Sequence, residues 1–192
     1  ILTANMAFLD LAQLGAEVIR FDPLGGGLDA ARMPVTSAGA SLFWAGMNKG
    51  KKSIAIDIAR PEGQELATRL ICAPGPQAGL FLTNFPPRGW LAHDALRAHR
   101  ADLVHVNVLG DRHGGSEVDY TVNPRVRFPD ITGPGDLPGP VNHVLPAWDH
   151  IGGQMAFAGL TLVRFTTEER LDAIIAQHEA MGCHVFNPHR YT

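Results

Sequence analysis

The residue best placed to do chemistry is Asp149, in the segment LPAWDHIGGQ (residues 145–154), which leads into a small, apolar stretch with helical spacing. A side-chain carboxylate can act as a covalent nucleophile that divides one difficult acyl transfer into easier steps. Gly152 and Gly153 follow, and glycine allows either a turn beneath the carboxylate or the close approach of another helix. Taken alone, an aspartate here would more often be a surface or N-cap residue.

A second set of candidates is cationic and lies on loops at the ends of strand-like segments. Such residues are usually solvated, but a phosphate-bearing ligand also needs them. The set consists of Arg20, Lys49, Lys51, Lys52, Arg60 and Arg88. The run Gly25, Gly26 and Gly27 lacks the spacing of a phosphate-binding loop, so it predicts a flexible turn.

Composition and charge argue against several classes of function. A net charge of −3 gives no electrostatic case for binding nucleic acid or an anionic membrane. No apolar run approaches the about 20 residues that span a bilayer. The two cysteines, Cys72 and Cys183, indicate reduced thiols and a cytoplasmic protein. The histidines and cysteines do not show the spacing of a metal site, so we predict no bound metal.

The elements that must position these residues alternate between strand-like and helix-like patterns. Strands are predicted at residues 16–21, 53–57, 79–83 and 102–108. Helices or long crossovers separate them, as parallel strands require. The pattern predicts an α/β fold with an open, mostly parallel, Rossmann-like sheet and helices on both faces. Ligands of such sheets bind beyond the carboxyl ends of the strands, so we expect Asp149 and Asn84 in one cleft there.

Helical periodicity and helix-end signals complete the predicted elements. Gly15 is suited to end a helix over residues 6–14, and Pro61 to begin another. Further helices are predicted at residues 91–99, 145–160 and 167–177. Residues 110–143 are rich in glycine and proline, which predicts a long loop.

Four segments occur in the order and at the spacing of class III CoA-transferases: NKGKKSIAID (48–57), RPEG (60–63), TNFPPR (83–88) and the segment around Asp149. From about residue 11 to residue 160 the chain resembles this family, which includes formyl-CoA transferases and α-methylacyl-CoA racemases. The resemblance implies that Asp149 carries the acyl group and CoA in turn. It implies an acyl-CoA substrate, no cofactor besides the CoA of that substrate, and a homodimer in the full-length enzyme. The implied CoA-binding residues are Arg20, Lys51, Lys52, Arg60, Asn84, Phe85 and Arg88.

The resemblance also favours one branch of the family. Racemases pair the aspartate with a histidine, and Ser116 occupies the histidine's place in GSEVDYTVNP (115–124), which disfavours racemization. Together with DPLGGGLD (22–29), LFWAG (42–46) and VNHVLPAWD (141–149), this segment is most similar to the branch that moves CoA between the two carboxyl groups of one branched dicarboxylic acid. Intermolecular CoA transfer and a catalytically inactive CoA-binding or dimerising fragment are the alternatives.

The extent of the resemblance predicts the domain organisation. Residues 1–160 are expected to form part of the family's large domain, without its opening strand. Residues 161–192 are expected to form a C-terminal helical tail that does not match the family.

Overall fold

The protein, described here by a computed structural model over residues 2–76, 78–111 and 113–165, alternates helices with four short strands. The helices are α1 (Leu2–Gln13), α2 (Leu42–Met47), α3 (Pro61–Ile71), α4 (His93–His99), α5 (Asp119–Arg125) and α6 (Ala147–Phe165). The strands are β1 (Ile19–Asp22), β2 (Lys52–Ala55), β3 (Leu80–Thr83) and β4 (Val104–Asn107), and 3-10 turns cover Gly89–Leu91 and Phe128–Ile131. The helix predicted at 167–177 lies outside the described residues.

All four predicted strands are present and pair in parallel, which confirms the α/β class. β1 pairs with β2, with Phe21 opposite Ile54, and β3 pairs with β4, with Phe81 opposite His105. Where the sequence predicted one open sheet, the ladders of the described residues form two two-stranded sheets. Side chains join the two sheets, because the rings of Phe21 and Phe81 stack with their centroids 6.5 Å apart.

Helices lie on both faces of β3, whose successive side chains point to opposite sides. Leu82 of β3 joins the core formed with α1 and α6, whereas its neighbour Phe81 joins the core formed with α3 and α4. The buried residues of the first core are Ala7, Leu11, Val18, Leu82, Ala156 and Leu160. Those of the second are Ile71, Phe81, Leu91, Leu96 and Leu103.

The helix-end signals act as predicted. Gly15 has a φ of 96° just after α1, and the N–H of Ala16 donates to the carbonyl of Leu11 at 2.9 Å. Gly15 therefore ends the helix, because glycine tolerates the left-handed backbone conformation. Pro61 occupies the first turn of α3. The short helix α2 was not predicted. Its N-cap is Ser41, whose hydroxyl accepts a hydrogen bond of 3.0 Å from the N–H of Trp44.

The prediction of a long loop over residues 110–143 is wrong in part, because α5 and a 3-10 turn lie inside it. The N–H of Val118 donates to Oγ1 of Thr121 at 3.0 Å, which satisfies a donor ahead of α5. Asp119 in the first turn and Arg125 in the last turn complement the helix dipole. Pro124 is accommodated because α5 ends one residue later. The density of glycine and proline concealed this seven-residue helix.

The last described helix, α6, has 19 residues and begins two residues before Asp149. It continues to Phe165, so the domain boundary predicted after residue 160 falls inside it, and that boundary stays a prediction. Within the described ranges, no helix has both the length and the apolar character that crossing a bilayer demands.

Candidate active site

Asp149 lies in the first turn of α6, near the start of a helix as predicted, and its side chain is half-buried. The hydroxyl of Thr3, in the first turn of α1, donates a hydrogen bond of 2.6 Å to Oδ1 of Asp149. The positive end of the α6 dipole favours a negative carboxylate at this position. The candidate nucleophile is therefore held by a residue 146 positions away in the chain.

Two glycines allow α1 and α6 to come this close. A Cβ at Gly152 would lie 2.9 Å from Cγ2 of Thr3, and a Cβ at Gly153 would lie 3.0 Å from Cβ of Met6. Both distances are too short for a real side chain to fit without a shift. The sequence allowed two roles for these glycines, a turn beneath the carboxylate or close helix packing. In the structure they permit the close packing of α1 against α6.

One close approach relates α1 to the start of β2. A Cβ at Gly50, just ahead of β2, would lie 3.9 Å from Cβ of Ala12. The last turn of α1 therefore lies beside the start of β2. That Asp149, with Thr3, lies toward the carboxyl ends of the strands, where ligands of parallel sheets bind, stays a prediction.

Asn84 and Phe85 follow β3 directly, and both are exposed. The N–H of Phe85 donates to Oγ1 of Thr83 at 3.1 Å, and its carbonyl accepts from Nδ2 of Asn107 at 2.7 Å. These contacts fix the backbone just past the ends of β3 and β4. That Asn84 and Asp149 line one cleft stays a prediction.

A buried carboxylate caps α6 from another part of the chain. Oδ1 of Asp119 accepts from the backbone N–H of Trp148 at 2.8 Å, and its Oδ2 accepts from Nδ2 of Asn123 at 2.7 Å. Both Asp119 and Asn123 are buried. The N–H groups of a first helical turn have no partner within the helix, so Asp119 satisfies one of them and fixes the start of the helix that carries Asp149.

A pocket of about 340 Å³ opens beside the N-terminal end of α6. Its apolar lining comes from α1, α2 and Pro146, and its polar groups include Arg32 and His150. The guanidinium carbon of Arg32 lies 4.3 Å from the centre of the Phe43 ring, a cation–π arrangement. The lining residues are Met6, Leu9, Asp10, Arg32, Phe43, Met47, Pro146 and His150.

Arg20 lies in a network of charged and polar side chains that includes Asn5 of α1. Its guanidinium donates to the carboxylates of Asp22 and Asp29 at 2.6 to 2.8 Å, and to the amide oxygens of Asn5 and Asn48 at 3.1 and 3.0 Å. Asp29 has a side-chain exposure of only 1%. Burial by itself would raise the pKa of Asp29, but the hydrogen bond and the charge of Arg20 lower it below the ordinary value. The geometry favours a structural role for Arg20, and its contact with CoA stays a prediction.

Lys51 belongs to the same network. Its Nζ donates to the backbone carbonyl of Asn5 at 2.8 Å and lies 3.4 Å from Oδ1 of Asn48. Burial and the nearby charge of Arg20 lower the pKa of Lys51 to about 8, whereas the charge of Asp29 raises it. The Lys51 cation is therefore largely present at pH 7 and largely lost well above pH 8.

We expect Lys51 to react as an amine at lower pH than an ordinary lysine. In competitive labelling with a trace of acetic anhydride, its intrinsic reactivity should reach half of its maximum near pH 8, because only the neutral amine reacts. Mass spectrometry of the Lys51 peptide measures the effect, and a free lysine derivative, with its pKa of 10.5, is the reference. Labelling of Lys51 that follows the reference would contradict the assignment.

The other predicted cations are exposed. Lys52 pairs with Glu17, and Nε of Arg60 lies 3.3 Å from Oδ2 of Asp57. Arg88 precedes the 3-10 turn after β3 and is also exposed. Exposed ion pairs contribute little to stability, so a ligand phosphate can replace these carboxylates at small cost.

Several residues of the site were missed by the sequence reasoning. They are Thr3, Asn5, Asp29, Asn48, Asp119 and Asn123. Thr3 and Asn5 lie outside the segments that carry the family resemblance, whereas the other four lie inside them, where nothing marked them individually. In the described part of the chain, no three His, Cys, Asp or Glu side chains are grouped to hold a metal. The histidines and the cysteine near the end of the sequence, whose spacing does not predict a metal site, are His178, Cys183, His184 and His189, and they lie outside the described residues.

Solved structures support the fold. A CAIB/BAIF family protein from Brucella suis superposes with a TM-score of 0.71 over 93% of this chain and 47% of that structure, at 20% identity. Rv3272 from Mycobacterium tuberculosis superposes with a TM-score of 0.63 over the same fractions, at 21% identity. At these identities the likeness bears on the fold alone.

Sequence relatives are closer. A 2-methylfumaryl-CoA isomerase of Chloroflexus aurantiacus is 66% identical over 158 residues, which are 82% of this chain and 39% of that protein. A succinyl-CoA–D-citramalate CoA-transferase of the same organism is 38% identical over 52% of this chain and 25% of its own length. The chain thus spans less than half the length of these curated relatives. The sequence profile of CoA-transferase family III matches residues 2–171, and the chain belongs to this family.

Proposed function

We propose that the protein transfers CoA between carboxyl groups through covalent intermediates on Asp149, and that it does so within one molecule of 2-methylfumaryl-CoA (mesaconyl-CoA). The observation that carries the proposal is the half-buried carboxylate of Asp149 at the start of α6, oriented by Thr3. The 66% identity to a 2-methylfumaryl-CoA isomerase supports this choice of substrate. CoA enters as part of the substrate, and the proposal includes no separate cofactor.

The reaction balances without a net change of protons. The Asp149 carboxylate attacks the thioester carbonyl, the C–S bond breaks, and CoA leaves as a thiolate from a mixed anhydride. The thiolate attacks the aspartyl carbonyl, which gives an aspartyl-CoA thioester and frees the first carboxylate of the acid. The second carboxylate of the acid attacks this thioester and again releases the thiolate. The thiolate then attacks the acyl carbonyl of the new anhydride, which completes the transfer and regenerates Asp149.

We place the acyl group in the pocket beside His150. A branched unsaturated dicarboxylic acid has an apolar middle and an anionic end. The pocket combines apolar side chains such as Met6 and Met47 with the cation of Arg32. Its position next to the first turn of α6 supports this assignment.

For the phosphates of CoA, we propose contacts with the exposed cations Lys52, Arg60 and Arg88, and with Lys51 at pH values where it is charged. Asn84 and Phe85 would line the CoA channel. Arg20 would act indirectly, by holding Asp29 and Asn48 in place. Labelling of lysines by acetic anhydride, with and without CoA, tests whether these cations contact the CoA phosphates. Protection of Lys52 by CoA supports it, and unchanged labelling at saturating CoA removes the lysines from the site.

Trapping of the covalent intermediate tests the proposed function. After incubation with mesaconyl-CoA, hydroxylamine should convert activated Asp149 to a hydroxamate, because it attacks anhydrides and thioesters but not a free carboxylate. Mass spectrometry of the Asp149 peptide detects the mass change, and the protein incubated with free CoA is the control. Turnover without a modified Asp149 would refute the aspartyl mechanism.

Two alternatives remain candidates. The identity to a succinyl-CoA–D-citramalate CoA-transferase favours intermolecular transfer as the second function, and transfer of CoA to an added, isotopically labelled dicarboxylate would reveal it. The 39% coverage of the isomerase relative motivates the other alternative, a CoA-binding or dimerising fragment. Binding of CoA with neither turnover nor adduct would favour that alternative.

We also propose that the full-length protein is a cytoplasmic homodimer, on the basis of the family resemblance and the two widely spaced cysteines. Light scattering coupled to size-exclusion chromatography measures the oligomeric state. A monomeric mass for the full-length protein would refute the dimer.

A further inference from the structure

We propose that Thr3 is a catalytic residue of the transfer, which selects Oδ1 of Asp149 as the carbonyl oxygen of the aspartyl intermediates and donates to the oxyanion that forms on it. The proposal rests on the proposed function, because it needs those intermediates. It adds a named donor and a named nucleophilic oxygen to the reaction.

The geometry distinguishes two oxygens that are equivalent in an isolated carboxylate. The hydroxyl of Thr3 lies 2.6 Å from Oδ1 of Asp149, within the range of a charge-assisted hydrogen bond between a hydroxyl and a carboxylate. A donor on Oδ1 withdraws electron density from that oxygen. Oδ2 is therefore the oxygen that we assign as the attacking atom, and it becomes the bridging oxygen of the anhydride.

The Thr3 hydroxyl has its largest effect when the thiolate attacks the aspartyl carbonyl. In the resting carboxylate the negative charge is shared between Oδ1 and Oδ2, whereas the tetrahedral adduct places it mainly on Oδ1. The same donor therefore stabilises the adduct more than the resting state, and only such differential stabilisation accelerates the chemical step. The hydroxyl serves each aspartyl adduct in turn, since the anhydride and the thioester share this carbonyl.

Thr3 is held in place from both sides. Gly152 leaves room for its methyl group, because a Cβ there would lie 2.9 Å from Cγ2 of Thr3. Asn5, half a turn along α1, donates to Asp29 at 3.0 Å, and its backbone carbonyl accepts from Lys51. A donor fixed before the reaction needs no reorganisation when charge develops on the carbonyl oxygen.

Replacement of Thr3 by valine tests the proposal, because valine keeps the shape of threonine and removes the hydroxyl. With mesaconyl-CoA as the probe, we expect kcat to fall about 100-fold, the effect of losing one oxyanion donor. The KM should change by less than about 3-fold, because the lost interaction belongs to the transition state. The matched Thr3→Ser variant keeps the donor and should recover most of kcat.

The outcomes separate this proposal from the proposed function. If the wild-type protein forms the Asp149 adduct and the valine variant turns over at the wild-type rate, the role of Thr3 is refuted and the aspartyl mechanism stands. If the wild-type protein turns over without an adduct, both fail. Equal losses in the serine and valine variants would also refute the role of the hydroxyl. Should the valine variant not fold, Thr3→Cys replaces it with the same expected loss, because a thiol is a weak donor.

Discussion

Replacement of Asp149 by asparagine is expected to lower the rate of CoA transfer by at least about 10⁴-fold, the scale at which enzymes lose activity without their nucleophile. The amide oxygen of asparagine can still accept from Thr3, so the packing of α1 against α6 should survive. The neutral amide cannot attack a thioester. Chromatographic separation of the two mesaconyl-CoA regioisomers measures the rate, and hydroxylamine should no longer modify residue 149.

A matched variant makes this result specific. Asp130 is an exposed carboxylate whose Oδ2 accepts from Nε of Arg127 at 2.8 Å, and Asp130→Asn makes the same chemical change away from the site. We expect this variant to keep the wild-type rate. A rate for Asp149→Asn within about tenfold of wild type, well short of a lost nucleophile, would refute the assignment of Asp149.

Replacement of Arg20 by alanine is expected to lower the free energy of unfolding by about 3–5 kcal/mol, the usual effect of removing one partner from a buried ion pair. The loss is large because Asp29, with 1% side-chain exposure, would lose the cation that contacts it directly. Denaturant titration of the wild-type and variant chains measures it. Because Arg20 lowers the pKa of Asp29, its contribution is present above the ordinary pKa of 3.8 and is lost as the pH falls below it. The difference between the two proteins should therefore shrink in acid.

Lys52→Ala is the matched control for the loss of a cation from the same pair of strands. Lys52 pairs with Glu17, and both side chains are about two-thirds exposed, so we expect a loss of at most about 1 kcal/mol. The double variant Arg20→Ala with Asp29→Asn should recover part of the stability, because it removes the unpaired charge. Equal, small losses in Arg20→Ala and Lys52→Ala would show that Arg20 is not the centre of a buried network.

The regular elements were predictable because they depend on local patterns. Short apolar runs with strand-like patterns located all four strands, and Gly15 and Pro61 located helix ends through backbone preferences that act within a few residues. The prediction of a long loop over residues 110–143 was wrong in part, because the composition of this segment conflicts with the tertiary contacts that it makes. Residues 110–143 carry many glycines and prolines, yet α5 forms there, and its buried Asp119 accepts hydrogen bonds from Asn123 and from the backbone of Trp148 in α6.

The chemical candidate also came from the sequence, which identified Asp149 at the start of a helix through its neighbours. The surroundings of that carboxylate depended on the tertiary structure. Thr3 and Asp149 are 146 residues apart, and no local pattern pairs them, because their contact follows from the packing of α1 against Gly152. Arg20 illustrates the same division. Its charge suggested a ligand contact, but chain folding brings Asp29 and Asn48 onto its guanidinium and makes it a buried anchor. Residue type and local periodicity determine what a side chain can do, and packing decides which partners it meets.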